Sequence, residues 1–333
     1  MSVNGKVYLN RCTFSFLHGI PLQLFREQGS YYVFSFMKSR SFIYIALFTD
    51  VIIAITKFIV AGISHSSAML SEGIHSVIDA ISQVLLLWGI VVSKRKADDK
   101  RPFGYGRELY FWSFIVSLII FSLGGCISLY EGIQRLKTPA AAENAKWSYI
   151  VLGTSFIFTA ISAFASLKAF NKQRGDTPFW KAVKNSKDPS VFIVLLGDLG
   201  DLVCLIIAFA GIYLVHLSGN PLYDGIASML IGIILILISL LLVRESRSLL
   251  MGETIQKTTL NQVVALVEEN ASILKVKKKL SIYLSPEEIV LQLTAVFKKD
   301  LTTDQITGAI SSITGTIQQK FPMIKQIFIE PVK

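Results

Sequence analysis

The hydrophobic residues of this sequence gather into long segments that predict membrane-spanning helices. Such a helix needs roughly 20 mostly apolar residues, and six segments before residue 250 meet that requirement. The predicted spans are Ser41–Ile63, Ala68–Val92, Tyr110–Leu136, Trp147–Leu167, Ser190–Val215 and Tyr223–Val243. We therefore predict an all-α membrane domain, a bundle of six transmembrane helices over residues 41–250.

Residues 251–333 show the shorter patterns of a small soluble domain. Helical spacing of apolar residues predicts a helix at 260–267, and alternation predicts two strands joined by a turn at 285–288. Thr302 or Thr303 is the predicted cap of a second helix. A third strand follows. The order helix, strand, strand, helix, strand predicts an α+β sheet with helices on one face.

The two faces of the first predicted strand differ in character. One face carries Leu274, Val276, Lys278, Leu280, Ile282 and Leu284, and the other carries Lys275, Lys277, Lys279 and Ser281. The uncovered face and the strand edges of the sheet are available for a partner, and dimerisation is our hypothesis for this domain. It contains no His or Cys, so a zinc site with soft ligands is not expected in it.

The composition supports a membrane protein and excludes other classes. Hydrophobic residues make up 52% of the chain and charged residues only 17%, whereas soluble domains carry about 25% charged residues. The chain is therefore neither a soluble globular protein nor a disordered one. Three cysteines do not form a disulfide framework.

The net charge of +10 is distributed unevenly between the predicted spans. The arm before the first span and the five loops that follow carry 5, 0, 6, 3, 6 and 0 Lys or Arg residues, where Arg135 at the end of the third span is counted with the loop after it. Positive residues accumulate on the cytoplasmic side of a membrane, so both termini are predicted to be cytoplasmic and no nucleic acid partner is expected. A bacterial inner membrane is the first choice, and an organelle membrane is the alternative.

Residues 1–40 form a predicted N-terminal cytoplasmic arm. Its apolar stretch Cys12–Phe25 is too short to span a membrane and lacks a small-residue cleavage site, so it is a poor signal peptide. Met37 lies shortly before the first span, and we hypothesise that translation starts there. Intact-mass spectrometry that finds a species starting at Met1 would contradict this hypothesis.

Polar side chains share one face of the second predicted span. They are Glu72, His75, Asp79 and Gln83, at offsets of 0, 3, 7 and 11 positions. His75 and Asp79 are one helical turn apart and can hold one cation between them. Because a charge inside a bilayer is costly, such residues are functional candidates by default.

Two further carboxylates lie in the fifth predicted span. Asp198 and Asp201 are three positions apart and share a face, and the neighbouring Gly197 and Gly200 let another backbone approach closely. Two helices that each present two ligands predict a four-ligand site. One imidazole with carboxylates suits a divalent transition metal such as Zn²⁺, and the many oxygens also admit Mn²⁺, Fe²⁺ or Co²⁺.

Several of these residues have structural alternatives. Asp198 and Asp201 can instead form interhelical hydrogen bonds, for example with Ser82 or Gln83. Glu72 is either a solvated charge near the interface or a residue that acts, like Gln83, around the ligands or on the access path.

Other polar residues of the spans are interpreted as structural. Asp50 and Lys57, seven positions apart in the first span, are expected to form a charge pair. Asp224 is expected to lie at the membrane interface, and Cys204 is expected to pack in the bundle.

The sequence lacks the motifs of several other functional classes. It contains no H-E-x-x-H, no G-x-S-x-G and no Walker loop, so neither an enzyme nor an ATP-driven transporter is expected. A non-transporting membrane scaffold or receptor and a cation channel are the alternatives.

Two motifs make the sequence resemble the cation diffusion facilitator family. His75-Ser-Val-Ile-Asp79 resembles the family's H-x-x-x-D signature, and the loop 101–108 with Tyr110-Phe-Trp112 is similar to the family's loop before span three. Leu250-Met-Gly-Glu253 and Ile327-Phe-Ile-Glu330 resemble one branch, which includes mitochondrial zinc exporters of animals and many bacterial proteins.

The resemblance implies a homodimeric, proton-coupled exporter of Zn²⁺ or a similar divalent ion, with no prosthetic group. It also implies a ferredoxin-like fold for the cytoplasmic C-terminal domain, which in this family dimerises and often senses metal. That domain contains no His or Cys in this sequence, so metal sensing is not expected of it.

The fifth span departs from the family pattern, in which two ligands lie four residues apart. The position four residues before Asp201 is Gly197, which cannot bind a metal. Asp201 matches the usual second ligand, and Asp198 is a shifted candidate for the first. The resemblance therefore implies a site of His75, Asp79 and Asp201, completed by Asp198 or by water.

These ligands predict proton coupling through His75. A metal needs a neutral imidazole and ionised carboxylates, so its binding releases protons. A site that opens alternately to the two sides of the membrane would couple metal export to proton uptake.

Overall fold

The computed structural model describes residues 40–138 and 145–332. The predicted N-terminal arm and the hypothesised start at Met37 lie outside the described residues.

Long helices occupy the positions of the predicted spans. They are α1 (Arg40–Ser64), α2 (Ser67–Ser93), α3 (Glu108–Lys137), α4 (Ala145–Arg174), α6 (Pro189–Ser218) and α7 (Leu222–Met251), with the short α5 (Phe179–Asn185) between α4 and α6. Within the described residues, the helices that are long and apolar enough to cross a membrane are α2, α3, α4, α6 and α7. The chain is a multi-pass membrane protein.

Local sequence signals fix the ends of the two helices that carry the candidate ligands. The Ser66 hydroxyl accepts a hydrogen bond from the backbone N–H of Met69 and so caps the start of α2. The Asp188 carboxylate caps the start of α6, where Pro189 occupies the first turn. Gly219 ends α6 in the left-handed conformation, at a φ of 66°.

Helices α3 and α7 pack closely through glycines that repeat every seven residues. Gly125 and Gly132 on α3 face Gly225 and Gly232 on α7, so the two backbones touch. A methyl group at position 132 would lie 2.5 Å from the backbone nitrogen of Met229. The contact therefore leaves no room for larger side chains.

Helix α3 changes its winding at the depth of this contact. A π-helical segment, Ile120–Cys126, separates the α-helical parts Glu108–Ile119 and Ile127–Lys137. Such segments insert an extra residue per turn and are frequent at functional sites.

The C-terminal domain has the predicted order of elements. It consists of α8 (Lys257–Glu268), β1 (Ile273–Ser285), β2 (Glu288–Phe297), α9 (Thr303–Lys320) and β3 (Ile324–Val332). The strands lie in the order β1-β2-β3, antiparallel and then parallel. Thr302 caps α9 in a capping box with Gln305, which confirms one of the two predicted caps.

The predicted apolar face of β1 is wrong for two of its three leucines. Leu274 and Leu280 are 57% and 47% exposed, whereas Ile273 and Tyr283 are buried against the helices. The pairing of β1 with β2 shifts register at three places, so the side-chain alternation changes face along the strand. An alternation read without these bulges assigns the wrong residues to the core.

Polar contacts join the C-terminal domain to the membrane domain. Lys187, just before α6, forms an ion pair with Glu253, just after α7. The Glu253 carbonyl accepts a hydrogen bond from the Tyr283 backbone N–H, at 3.1 Å. Gly106, in the loop before α3, packs so closely on Leu284 that a methyl group would lie 2.7 Å from its carbonyl oxygen. These contacts define the junction between the two domains.

Candidate metal site

Helix α2 places an imidazole and a carboxylate one turn apart. His75 Nε2 lies 3.6 Å from an Asp79 carboxylate oxygen, as the four-residue spacing predicts. The His75 side chain is 4% exposed and that of Asp79 is 26% exposed. The imidazole is therefore at the inner end of a polar face that opens towards Asp79.

Helix α6 contributes a third ligand group from the opposite side. An Asp201 carboxylate oxygen is in direct contact with His75 Nε2. One ligand atom from each of His75, Asp79 and Asp201 lies within 4.8 Å of the other two. Among the described residues these three form the metal-competent group, which we call the triad.

The donor set of the triad suits a divalent transition metal. One imidazole nitrogen and two carboxylates are the ligands of many zinc sites with an open fourth position. They also suit Mn²⁺ and Fe²⁺, since the set contains no thiolate. Cys204, one turn beyond Asp201, is fully buried among apolar residues, in agreement with its predicted packing role.

The structure does not bring Asp198 into the triad. One of its carboxylate oxygens accepts hydrogen bonds from the Ser162 and Ser166 hydroxyls of α4, at 3.1 and 2.5 Å. Of the four candidate ligands, the structure therefore brings three groups together. Asp198 forms interhelical hydrogen bonds with different partners from those expected.

The two charged residues of α1 near the triad, Asp50 and Lys57, do not pair with each other. Lys57 binds Glu72, at 3.0 Å, instead of Asp50. Asp50 accepts a hydrogen bond of 2.9 Å from the Gln83 amide. The expected Asp50–Lys57 pair is therefore wrong, because each residue has a partner on α2 that spacing along α1 could not reveal.

The polar face of α2 changes from buried to exposed along its length. Glu72 and His75 are buried, Asp79 is half-buried and Gln83 is exposed. The triad is thus open towards the C-terminal end of α2 and closed towards its N-terminal end.

Asp224 of α7 binds the N-terminal end of α2. It is 1% exposed and lies in the first turn of α7, so it is buried within the protein at that end of the helix. Its carboxylate accepts hydrogen bonds from the Ser66 and Ser67 hydroxyls and from the Ser67 backbone N–H, and Arg135 lies 3.7 Å away. Sequence reasoning missed this contact, which joins α2, α3 and α7. The signal was the serine pair before α2, whose free N–H groups attract an anion.

Comparisons with known proteins agree with this architecture. A family model described as the cation efflux transmembrane domain matches residues 43–251. The chain is 32% identical to the mitochondrial proton-coupled zinc antiporter SLC30A9 of Mus musculus, over 65% of this chain and 39% of that protein. It is 29% identical to metal tolerance protein C4 of Arabidopsis thaliana, over 68% of this chain and 50% of that protein.

A bacterial relative matches over nearly its whole length. The manganese efflux system protein MneP of Bacillus subtilis is 22% identical, over 87% of this chain and 95% of that protein. The chain spans half or less of the length of the antiporter and of the plant protein. Since the family model covers more than half of the chain, from α1 to the end of α7, this chain belongs to the cation efflux family.

Proposed function

We propose that this chain exports a divalent transition-metal cation from the cytoplasm in exchange for protons, and that Zn²⁺ is its principal substrate. The observation that carries the proposal is the triad, in which His75 and Asp79 on α2 meet Asp201 on α6. A family of cation transporters and a zinc antiporter among the relatives support it. We propose transport and not catalysis of a chemical reaction.

Proton exchange follows from the chemistry of the triad. An imidazolium beside carboxylates must lose its proton before the nitrogen can bind a metal. When the metal leaves, the same groups take up protons again. His75, which contacts both carboxylates, is the residue that we propose couples the two ions.

The second candidate substrate is Mn²⁺. Two carboxylates and one imidazole do not exclude an oxygen-preferring ion. The relative that is aligned over most of its length is named as a manganese efflux protein. Asp198 does not provide the fourth ligand in the arrangement seen here, and we propose that water completes the site.

We propose a bacterial inner membrane with both termini in the cytoplasm. The alternation of Lys and Arg between the spans supports this orientation. The triad then opens towards the cytoplasm, since the C-terminal end of α2 leads into a loop with six basic residues. This is the state in which an exporter accepts its substrate.

We also propose a homodimer formed through the C-terminal domain. The face of its sheet opposite the helices carries Leu280 on β1 and Phe328 on β3, which flank Gln292 of β2. Both apolar side chains are about half exposed in the single chain. A second copy of the same face would cover them.

Transport into proteoliposomes that contain a lumenal pH dye tests the function. Zinc entry matched by proton exit is expected for the wild type and for the control Asp176→Asn, an exposed carboxylate outside the triad. Asp79→Asn and Asp201→Asn should abolish both fluxes. Zinc flux without proton movement would contradict the exchange, and equal flux in all variants would contradict the site. Mn²⁺ under the same conditions ranks the substrates.

A further inference from the structure

A lysine inside the membrane domain has no role in the triad itself. Lys57 of α1 and Glu72 of α2 form an ion pair, with Nζ and Oε2 3.0 Å apart and side chains 5% and 1% exposed. The ammonium also donates a hydrogen bond of 2.8 Å to the Ser76 hydroxyl. Ser76 follows His75 directly, so the lysine reaches the depth of the triad.

This pair is poorly suited to a purely stabilising role. Burying two charges costs as much free energy as their attraction returns unless further hydrogen bonds satisfy both groups. The second Glu72 oxygen, Oε1, is buried and has no hydrogen-bond partner in the described structure. One buried carboxylate oxygen is thus free to bind a cation.

The pair lies at the closed end of the triad. Glu72 precedes His75 by one helical turn, on the side opposite to the exposed Gln83. Beyond it, Ser71 and Ser228 share a hydrogen bond of 2.6 Å, and Asp224 holds the start of α2. A cation that enters at the Gln83 end and leaves along this face of α2 passes Glu72.

We propose that Glu72 is a second cation-binding position, on the exit side of the triad, and that the Lys57 ammonium fills it while the triad is open to the cytoplasm. Because the Lys57 ammonium is part of the chain, it can move away from Glu72 but cannot dissociate from the protein. It keeps the exit position neutral and closed until a divalent cation moves from the triad and takes its place. This inference rests on the proposed function.

Binding of Zn²⁺ to the purified full-length chain tests the second position without transport. The wild type is expected to bind one ion per chain, and Lys57→Met is expected to bind one more, because it vacates Glu72. The double variant Lys57→Met/Glu72→Gln should return to the wild-type number. Lys146→Met, which removes an exposed lysine from α4, is the matched control and should not change the number. A wild-type number for Lys57→Met would overturn the proposal.

Transport by the double variant gives a second test that does not need Lys57→Met to fold. The variant has no unpaired buried charge. We expect its zinc flux to fall about tenfold, which corresponds to about 1.4 kcal/mol in the barrier, with unchanged zinc affinity at the triad. A merely structural pair would leave the flux at the wild-type rate, and that result would overturn the inference.

The two proposals can fail separately. A wild type that binds and exchanges zinc, with no extra ion in Lys57→Met, retains the function and refutes the exit position. A wild type that binds no zinc refutes the triad, while an ion bound by Lys57→Met and lost in the double variant would still support Glu72.

Discussion

Two aspartates three residues apart on α6 have different environments. Asp201 contacts His75, whereas Asp198 accepts hydrogen bonds from two serines of α4. Three positions on a helix differ by about 60° in direction, which is enough to turn one carboxylate towards α2 and the other towards α4. The spacing identified the face correctly but could not determine which neighbouring helix each carboxylate meets.

This difference predicts unequal effects of the same substitution. Asp201→Asn should weaken zinc binding more than about 100-fold, the upper range for groups outside the ligand set, because it removes a ligand. Asp198→Asn should weaken it less than about tenfold, since an amide can keep the serine hydrogen bonds. Equilibrium zinc titration measures both. Equal losses would restore Asp198 as a ligand.

The helices were predicted well because apolar length is a strong local signal, whereas contacts between helices were not. Every described long helix lies where the sequence predicts a span. The partners of Lys57 and Asp224 come from other helices, 15 and more than 150 residues away. The face of β1 was mistaken because bulges are not visible in the alternation.

The glycine contact between α3 and α7 can be tested with a pair of substitutions. Gly132→Ala should lower the stability by about 1–3 kcal/mol, since the added methyl group overlaps the backbone of α7. Gly153→Ala on α4, where no atom lies within 4 Å of the added carbon, is the control. It should be neutral or stabilising by up to about 1 kcal/mol from helix propensity. Thermal unfolding in detergent compares them, and equal melting temperatures would contradict the close contact.

The cap of α6 predicts a pH-dependent stability. Burial raises the pKa of the Asp188 carboxyl, and the nearby Glu287 adds to the rise, although hydrogen bonds from Ser190 oppose it. When Asp188 is ionised in both the folded and the unfolded protein, its burial lowers the free energy of unfolding. This loss of stability disappears at a pH below the ordinary pKa of aspartate, because the carboxyl group is then protonated in both states. Asn caps helices as well as Asp does.

Asp188→Asn should accordingly melt at a higher temperature than the wild type at pH 7. The difference should shrink as the pH is lowered towards the ordinary pKa of aspartate. Melting curves over that range measure it, with Asp176→Asn as an exposed control. A difference that grows at acidic pH would contradict the raised pKa.

At the scale of the whole molecule, the apolar sheet face predicts the oligomeric state. Phe328→Asp should convert the proposed dimer into single chains, because it replaces one of the two apolar side chains of the face with a charge. Ser311→Asp, on the exposed side of α9, adds the same charge elsewhere and should leave the dimer intact. Light scattering of the purified chains gives the mass. A dimer that survives Phe328→Asp would exclude this face.

The close glycine contact between α3 and α7 leaves the two helices little room to move apart or past each other. Thirty residues of α7 measure about 45 Å, the full thickness of a bilayer with its headgroups. One end of α7 carries Asp224, which binds the start of α2, and the other end leads to Glu253 and the junction. A tilt of α7 imposed by the C-terminal domain at one membrane surface would therefore also displace the start of α2 at the opposite surface.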